Sequence, residues 1–353
     1  MVESNERNYS LDLLRIISML MIVVLHLISH GGILETNSTT ELAIIMIVRC
    51  FCIVSVNIFV LISGYFLCTQ KFRLSKLISL VFEVWFYTWL IYLLLYFTGN
   101  VSFSITDIKS VMFPISYKEY WFVTAYVGMY VLMPVLNVTI QHLNKKQHCI
   151  VVMLLLILSI GWHDFIPFSN PLGMSNGYSA TWFLVLYFVA AYIRSHEFKI
   201  KCPLIIYVSS VICMFLIWFL LHILSQRIAV LHEYGIEDYY YNYCSILNFV
   251  ASVSLFLFFV GIKIRKFKKT IRFITPLTFG IYLIHDNIRL RELLWPSVLN
   301  AFQTSLILRA TFAVLTIFCI CIVIDYFRSK VFQVLFSKNI WKRLDEVIEK
   351  KIL

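Results

Sequence analysis

Apolar stretches of about twenty residues follow one another along almost the whole chain, at about 10–30, 42–67, 77–98, 121–140, 149–163, 178–195, 204–224, 244–262, 273–295 and 305–328. That length matches the hydrocarbon thickness of a bilayer, which takes about 20 helical residues to cross. Inside a membrane every backbone N–H and C=O must be bonded within its own helix or a closed barrel. Charged residues make up only 14 % of the chain, against roughly 25 % in soluble domains. The sequence therefore predicts an all-α, polytopic membrane bundle of about ten spans with no separate soluble domain.

Short polar segments separate the runs, and their charges give a direction. With the N-terminus in the cytoplasm, the inner segments hold Arg7, Lys71, Arg73, Lys76, Lys145, Lys146, Arg194, Lys199 and Lys201. They also hold six basic residues from Lys263 to Arg272 and seven from Arg328 to Lys351, whereas the outer loops hold Lys109, Lys118 and Arg227. This is the positive-inside pattern, and it predicts two cytoplasmic termini. It also accounts for the net charge of +11 without a nucleic-acid partner. The expected organisation is a membrane domain over 1–330 and a cytoplasmic amphipathic tail over 331–353, whose apolar residues from Ile340 to Ile348 share one helical face. The cysteines show no metal-type CxxC pair and read as small hydrophobes, so no metal is expected.

An ionisable side chain inside a span is costly and marks a candidate site. The first span carries the clearest pair, Arg15 and His26. Eleven residues amount to three turns plus about 20°, so both project from one face, roughly 16 Å apart along the axis. Asp12, one turn before Arg15, could hold its guanidinium. An arginine fork suits phosphate, and an imidazole suits proton transfer. The competing reading has Arg15 snorkelling to the inner surface and His26 bonding a neighbouring helix.

Further patterns follow in order: Phe59-Val-Leu-Ile-Ser-Gly-Tyr-Phe66, Tyr120-Trp121-Phe122, Gly128-Met-Tyr-Val-Leu-Met-Pro134 and Phe279-Gly-Ile-Tyr-Leu-Ile-His285. Together with Arg-x10-His, the chain resembles the membrane O-acyltransferases of acyltransferase family 3, in the bacterial branch that O-acetylates cell-surface polysaccharides. The resemblance implies acetyl-CoA as the acyl-CoA donor, and a hydroxyl of a cell-surface glycan or lipid-linked saccharide as acceptor. It implies a multi-pass protein of the bacterial cytoplasmic membrane, with His26 as the essential catalytic residue and Arg15 as its essential partner. The family's basic motif after the second span is usually arginine-rich, whereas this chain has Lys71, Arg73 and Lys76, which could form an electrostatic entrance.

Other residues divide between binding and structural readings. Ser63 could contact a ligand, while its neighbour Gly64 could permit close helix packing. Arg49, at a depth near His26, could bind an anionic acceptor or polarise a thioester, or pair with Glu41. Tyr120 and Trp121 could stack on a sugar or anchor the outer interface. His285, beside Asp286 and Asn287, could contact the acceptor or orient the catalytic base. Adjacent helical residues point about 100° apart, so Asp286 need not serve His285. Glu83 could be structural or catalytic, Arg289 and Arg291 could meet an acidic glycan, and His163, His222 and His232 read as solvated or interfacial. The alternative function is a secondary transporter or glycan exporter with an intramembrane Arg/His path.

Overall fold

A computed structural model describes residues 7–166, 170–228, 233, 239 and 241–335. The tail from Lys338 to Leu353 and His232 lie outside the described residues. The described chain is helical and contains no strand. Its order is α1 (Tyr9–His30), α2 (Thr39–Cys52), α3 (Ser55–Leu67), α4 (Leu74–Phe97), α5 (Ile105–Met112), α6 (Trp121–His142) and α7 (Lys145–Leu156). There follow α8 (Trp162–Phe165), α9 (Ala180–Ser195), α10 (Pro203–Ser225) and α11 (Ile246–Gly261). The last four are α12 (Lys268–Ile274), α13 (Thr278–His285), α14 (Arg291–Asn300) and α15 (Leu306–Leu335).

Short polar side chains start several of these helices. Asn8 accepts from Leu11 N, Ser38 from Glu41 N and Ser179 from Trp182 N, while Asn144 and Gln147 form a reciprocal capping box. Each satisfies backbone donors that a first helical turn leaves open. Among the described residues, seven stretches are long and apolar enough to cross a membrane, and α9 and α11 are shorter apolar helices. α2 and α3 form one such stretch, Thr39–Leu67, as do α7 and α8 across a π-helical turn at Ile157–Gly161.

The expected span over 273–295 is not a single helix. It breaks into α12, a 3-10 turn at Thr275–Leu277, α13, an open segment and α14. Pro276 lies in the first break, where a ring nitrogen has no proton for the helical ladder. Asn287 organises the second: its Oδ1 accepts from the N–H groups of Arg289 and Leu290, 3.1 and 3.3 Å away. Arg289 then pins the bend, donating to Glu119, Asp107 and Ser110 at 2.7–3.1 Å. It is thus committed to the protein rather than offered to a glycan.

α1 is the axis of the bundle. It touches α2, α3 and every helix from α11 to α15. Burial agrees: 56 % of its apolar window and 67 % of that in α2–α3 is enclosed, against 28 % for α4 and α10 and 22 % for α15. The outer helices turn Leu94, Phe97, Leu216, Leu220 and Val323 outward, as lipid-facing surfaces must. Gly64 lies where α3 meets α9: an added Cβ would come 3.0 Å from Ala190 Cβ and 3.1 Å from the backbone of Tyr187. This is the close packing that small residues permit between membrane helices.

Candidate active site

Residues 15, 19, 22 and 26 of α1 recur at helical spacing, and Arg15, Met19, Ile22 and His26 form one wall of a cavity of about 330 Å³. Opposite stand Phe59 and Ser63 of α3, Trp121 and Tyr126 of α6, Tyr243, and Phe279 and Tyr282 of α13. The structure thus brings together Arg15, His26, Ser63 and Trp121 among the residues singled out from sequence. The walls are largely apolar and aromatic with a few polar groups, as in small-molecule pockets generally, and the volume lies at the small end of their range.

At one end Asp12 is shared. One carboxylate oxygen takes Arg7, while the other stands 3.8 Å from Arg15 Nη1. Two arginines on one carboxylate leave positive charge over, and it faces the cavity. At the other end His26 Nδ1 lies 2.9 Å from His285 Nε2. His285 is fully buried, and its Nδ1 lies 2.6 Å from the carbonyl oxygen of Ile281. A carbonyl only accepts, so His285 Nδ1 carries the proton and its Nε2, in the neutral ring, is an acceptor. His26 must then donate from Nδ1, which leaves Nε2 of His26 as a lone pair. Two hydrogen bonds thereby fix the tautomer of His26 as that of a base.

Other candidates fall elsewhere. His285 is not among the cavity walls but directly behind His26, with its Nε2 against His26 Nδ1. Arg49 also lies outside the walls, with its guanidinium 4.6 Å from the ring centre of Tyr241; depth alone did not decide which way it faces. Tyr120 is buried and committed: its hydroxyl donates to Leu283 O at 2.7 Å and accepts from Asn287 Nδ2 at 2.9 Å. It clamps the end of α13 to α6 and is not among the cavity walls. Ser63 donates to Phe59 O at 2.8 Å.

Lys71, Arg73 and Lys76 are exposed before or in the first turn of α4 and do not line the cavity. Tyr130 donates to the Arg73 carbonyl at 3.0 Å, and Lys76 Nζ donates to Gln70 at 3.0 Å. Lys76 also borders an adjoining groove whose walls include Leu80 and Phe279, both of which line the main cavity as well. Glu83 borders the same groove and is paired with Arg328 at 2.9 Å. His163 is buried, not solvated, and is bonded to Asp164 at 2.7 Å.

Tyr126, Tyr243 and Tyr282 are wall residues that sequence reasoning passed over. Tyr126 lies one turn after Phe122, just beyond one noted motif, and Tyr282 lies within another, one turn before His285, so the helical repeat pointed to both.

A family model described as an acyltransferase domain, Acyl_transf_3, matches residues 8–326, which hold every wall of the cavity. Neither the curated proteins nor the solved structures contain a match to the chain.

Proposed function

We propose, from the premise that this chain belongs to the Acyl_transf_3 family of acyltransferases, that it moves an acetyl group from cytoplasmic acetyl-CoA to a cell-envelope glycan. The acceptor is a hydroxyl of the polysaccharide or of its lipid-linked precursor, and the setting is the bacterial cytoplasmic membrane. The observation carrying this reading is one cavity that holds Arg15 at one end and the free Nε2 of His26 toward the other.

The basic residues near the start of α1 and in the segment from Lys263 to Arg272 support placing the Arg15 end at the cytoplasmic face. Arg15 would hold a phosphate of the donor by paired charge-assisted hydrogen bonds. A slender thioester arm then runs between aromatic walls toward His26, with most of the donor left outside a cavity of about 330 Å³.

At His26 the acceptor hydroxyl gives its proton to Nε2 as its oxygen attacks the thioester carbonyl carbon. The C=O electrons move onto oxygen. They return as the C–S bond breaks, and the departing thiolate takes the proton back from His26. One ester and one free thiol result, with no net proton consumed. Water exclusion by Trp121, Tyr126 and Tyr282 favours the glycan hydroxyl over hydrolysis. The test is glycan O-acetyl content in cells carrying His26→Ala or Arg15→Ala, each expected to lose nearly all of it; full acetylation with either variant would discard the mechanism.

A further inference from the structure

We infer that Asp286 is a positioning residue for His26, held beside its Nδ1 to balance the positive charge that His26 acquires during transfer. This rests on the acyl-transfer reading of the cavity. His285 and Asp286 are neighbours in sequence, and along an unbroken helix they would point about 100° apart. The helix does not continue. α13 ends at His285, and Asp286 has φ −100° and ψ 9°. Both side chains nevertheless reach the same atom: His26 Nδ1 is 2.9 Å from His285 Nε2 and 3.5 Å from Asp286 Oδ1.

The two neighbours do different work. His285 is a neutral acceptor that sets the tautomer, but it brings no countercharge when His26 takes a proton. Asp286 is 5 % exposed, and the same Oδ1 lies 3.5 Å from Arg291 Nη1. Both contacts are long. The carboxylate therefore sits between one permanent cation and one transient one, with room to close on whichever is charged. The ionisable groups around His26 are His30 on its own helix, Tyr282 and His285 of α13, Asp286 in the break and Arg291 of α14. Of these five, Asp286 is the carboxylate. A base steered by one group and charge-balanced by a carboxylate is the logic of hydrolytic triads, divided here between two adjacent residues.

The full-length protein in lipid nanodiscs provides the test. Diethyl pyrocarbonate acylates unprotonated imidazole, so the pH dependence of labelling at the His26 peptide, followed by mass spectrometry, reports the charge state of that ring. Asp286→Asn should move half-maximal labelling to lower pH by about one unit, because an opposite charge at this range favours the protonated ring. Arg291→Gln should move it to higher pH, because a like charge is removed.

Thiol release from acetyl-CoA should fall about a hundredfold in Asp286→Asn. A purely structural Asp286–Arg291 pair would give both variants the same direction of shift. Midpoints that stay in place, or move together, overturn the inference. If Asp286→Asn does not accumulate, Arg291→Gln decides alone, and an unchanged or lower midpoint overturns it. Failure of the underlying reading would look different: His26→Gln would keep wild-type thiol release.

Discussion

Among the described residues, two histidine pairs are built on the same hydrogen-bond plan. In each, a fully buried imidazole is anchored on a backbone carbonyl and bonded to a second histidine. His285 uses Ile281 O and His26, at 2.6 and 2.9 Å; His148 uses Phe188 O and His196, both at 3.2 Å. The difference lies in what the second ring faces. His26 opens into a cavity with Arg15 in its wall, whereas neither His148 nor His196 lines that cavity. His148 packs edge-on to Phe188 and Tyr192, tying α7 to α9. Hydrogen bonding by itself makes a latch; the same bonding beside a cavity that Arg15 also lines leaves a ring nitrogen open to a ligand.

Variants can break that contrast or sharpen it. The largest effect is expected from His285→Ala, which frees the His26 ring and should lower acetyl-CoA-dependent transfer about a hundredfold or more. His148→Ala should leave transfer by folded protein within about twofold while lowering thermal stability. Equal losses of transfer per folded molecule would erase the distinction between the pairs. Gly280→Val comes next: a Cβ there would overlap the buried Asp325 carboxylate, at a cost of about 2 kcal/mol or more, read as a lower unfolding temperature.

Arg15→Lys keeps the charge but loses the fork. It should raise KM for acetyl-CoA about tenfold, close to 1.4 kcal/mol, with a smaller change in kcat. A fall in kcat alone would move Arg15 from donor binding to the chemical step. The smallest effect belongs to Tyr120→Phe. It removes one hydroxyl that bonds both Leu283 O and Asn287, for about 1 kcal/mol of stability.

Much of the architecture was legible because a bilayer imposes one rule on every span, and hydrophobic length reports it directly. The stacking of Arg15 over His26 was legible for a similar reason, since one regular helix fixes their angle. What the helical repeat could not reach was placement across helices or across a break. Arg49 was placed at a suitable depth, but depth says nothing of azimuth, and its guanidinium went to Tyr241. Tyr120 fitted an interfacial belt, yet a polar partner in the α13–α14 break drew it inward. That Asp286 need not serve His285 agrees with their partners, Ile281 O for His285 and His26 for Asp286, but the shared approach to His26 was not legible. The signals of that break, Pro276 and Asn287, lay within an otherwise apolar run. The wall tyrosines were hidden by abundance: with 16 % aromatic residues, one more tyrosine carries little information.

The contact between Gly280 and Asp325 has a mechanical meaning. Asp325 is held by Tyr87 at 2.7 Å and Arg328 at 2.8 Å, and its carboxylate occupies the space that a side chain on α13 would fill. It acts as a pawl in a notch, preventing α13 from sliding along α15. His285 lies five residues beyond the notch, about 7.5 Å along the helix, and inherits its height from that fixed point. A bilayer is a yielding reference whose thickness varies by several ångströms between membranes. A reacting pair must be held to a fraction of one. By indexing one helix against another, the protein takes its vertical scale from itself and not from the lipid around it.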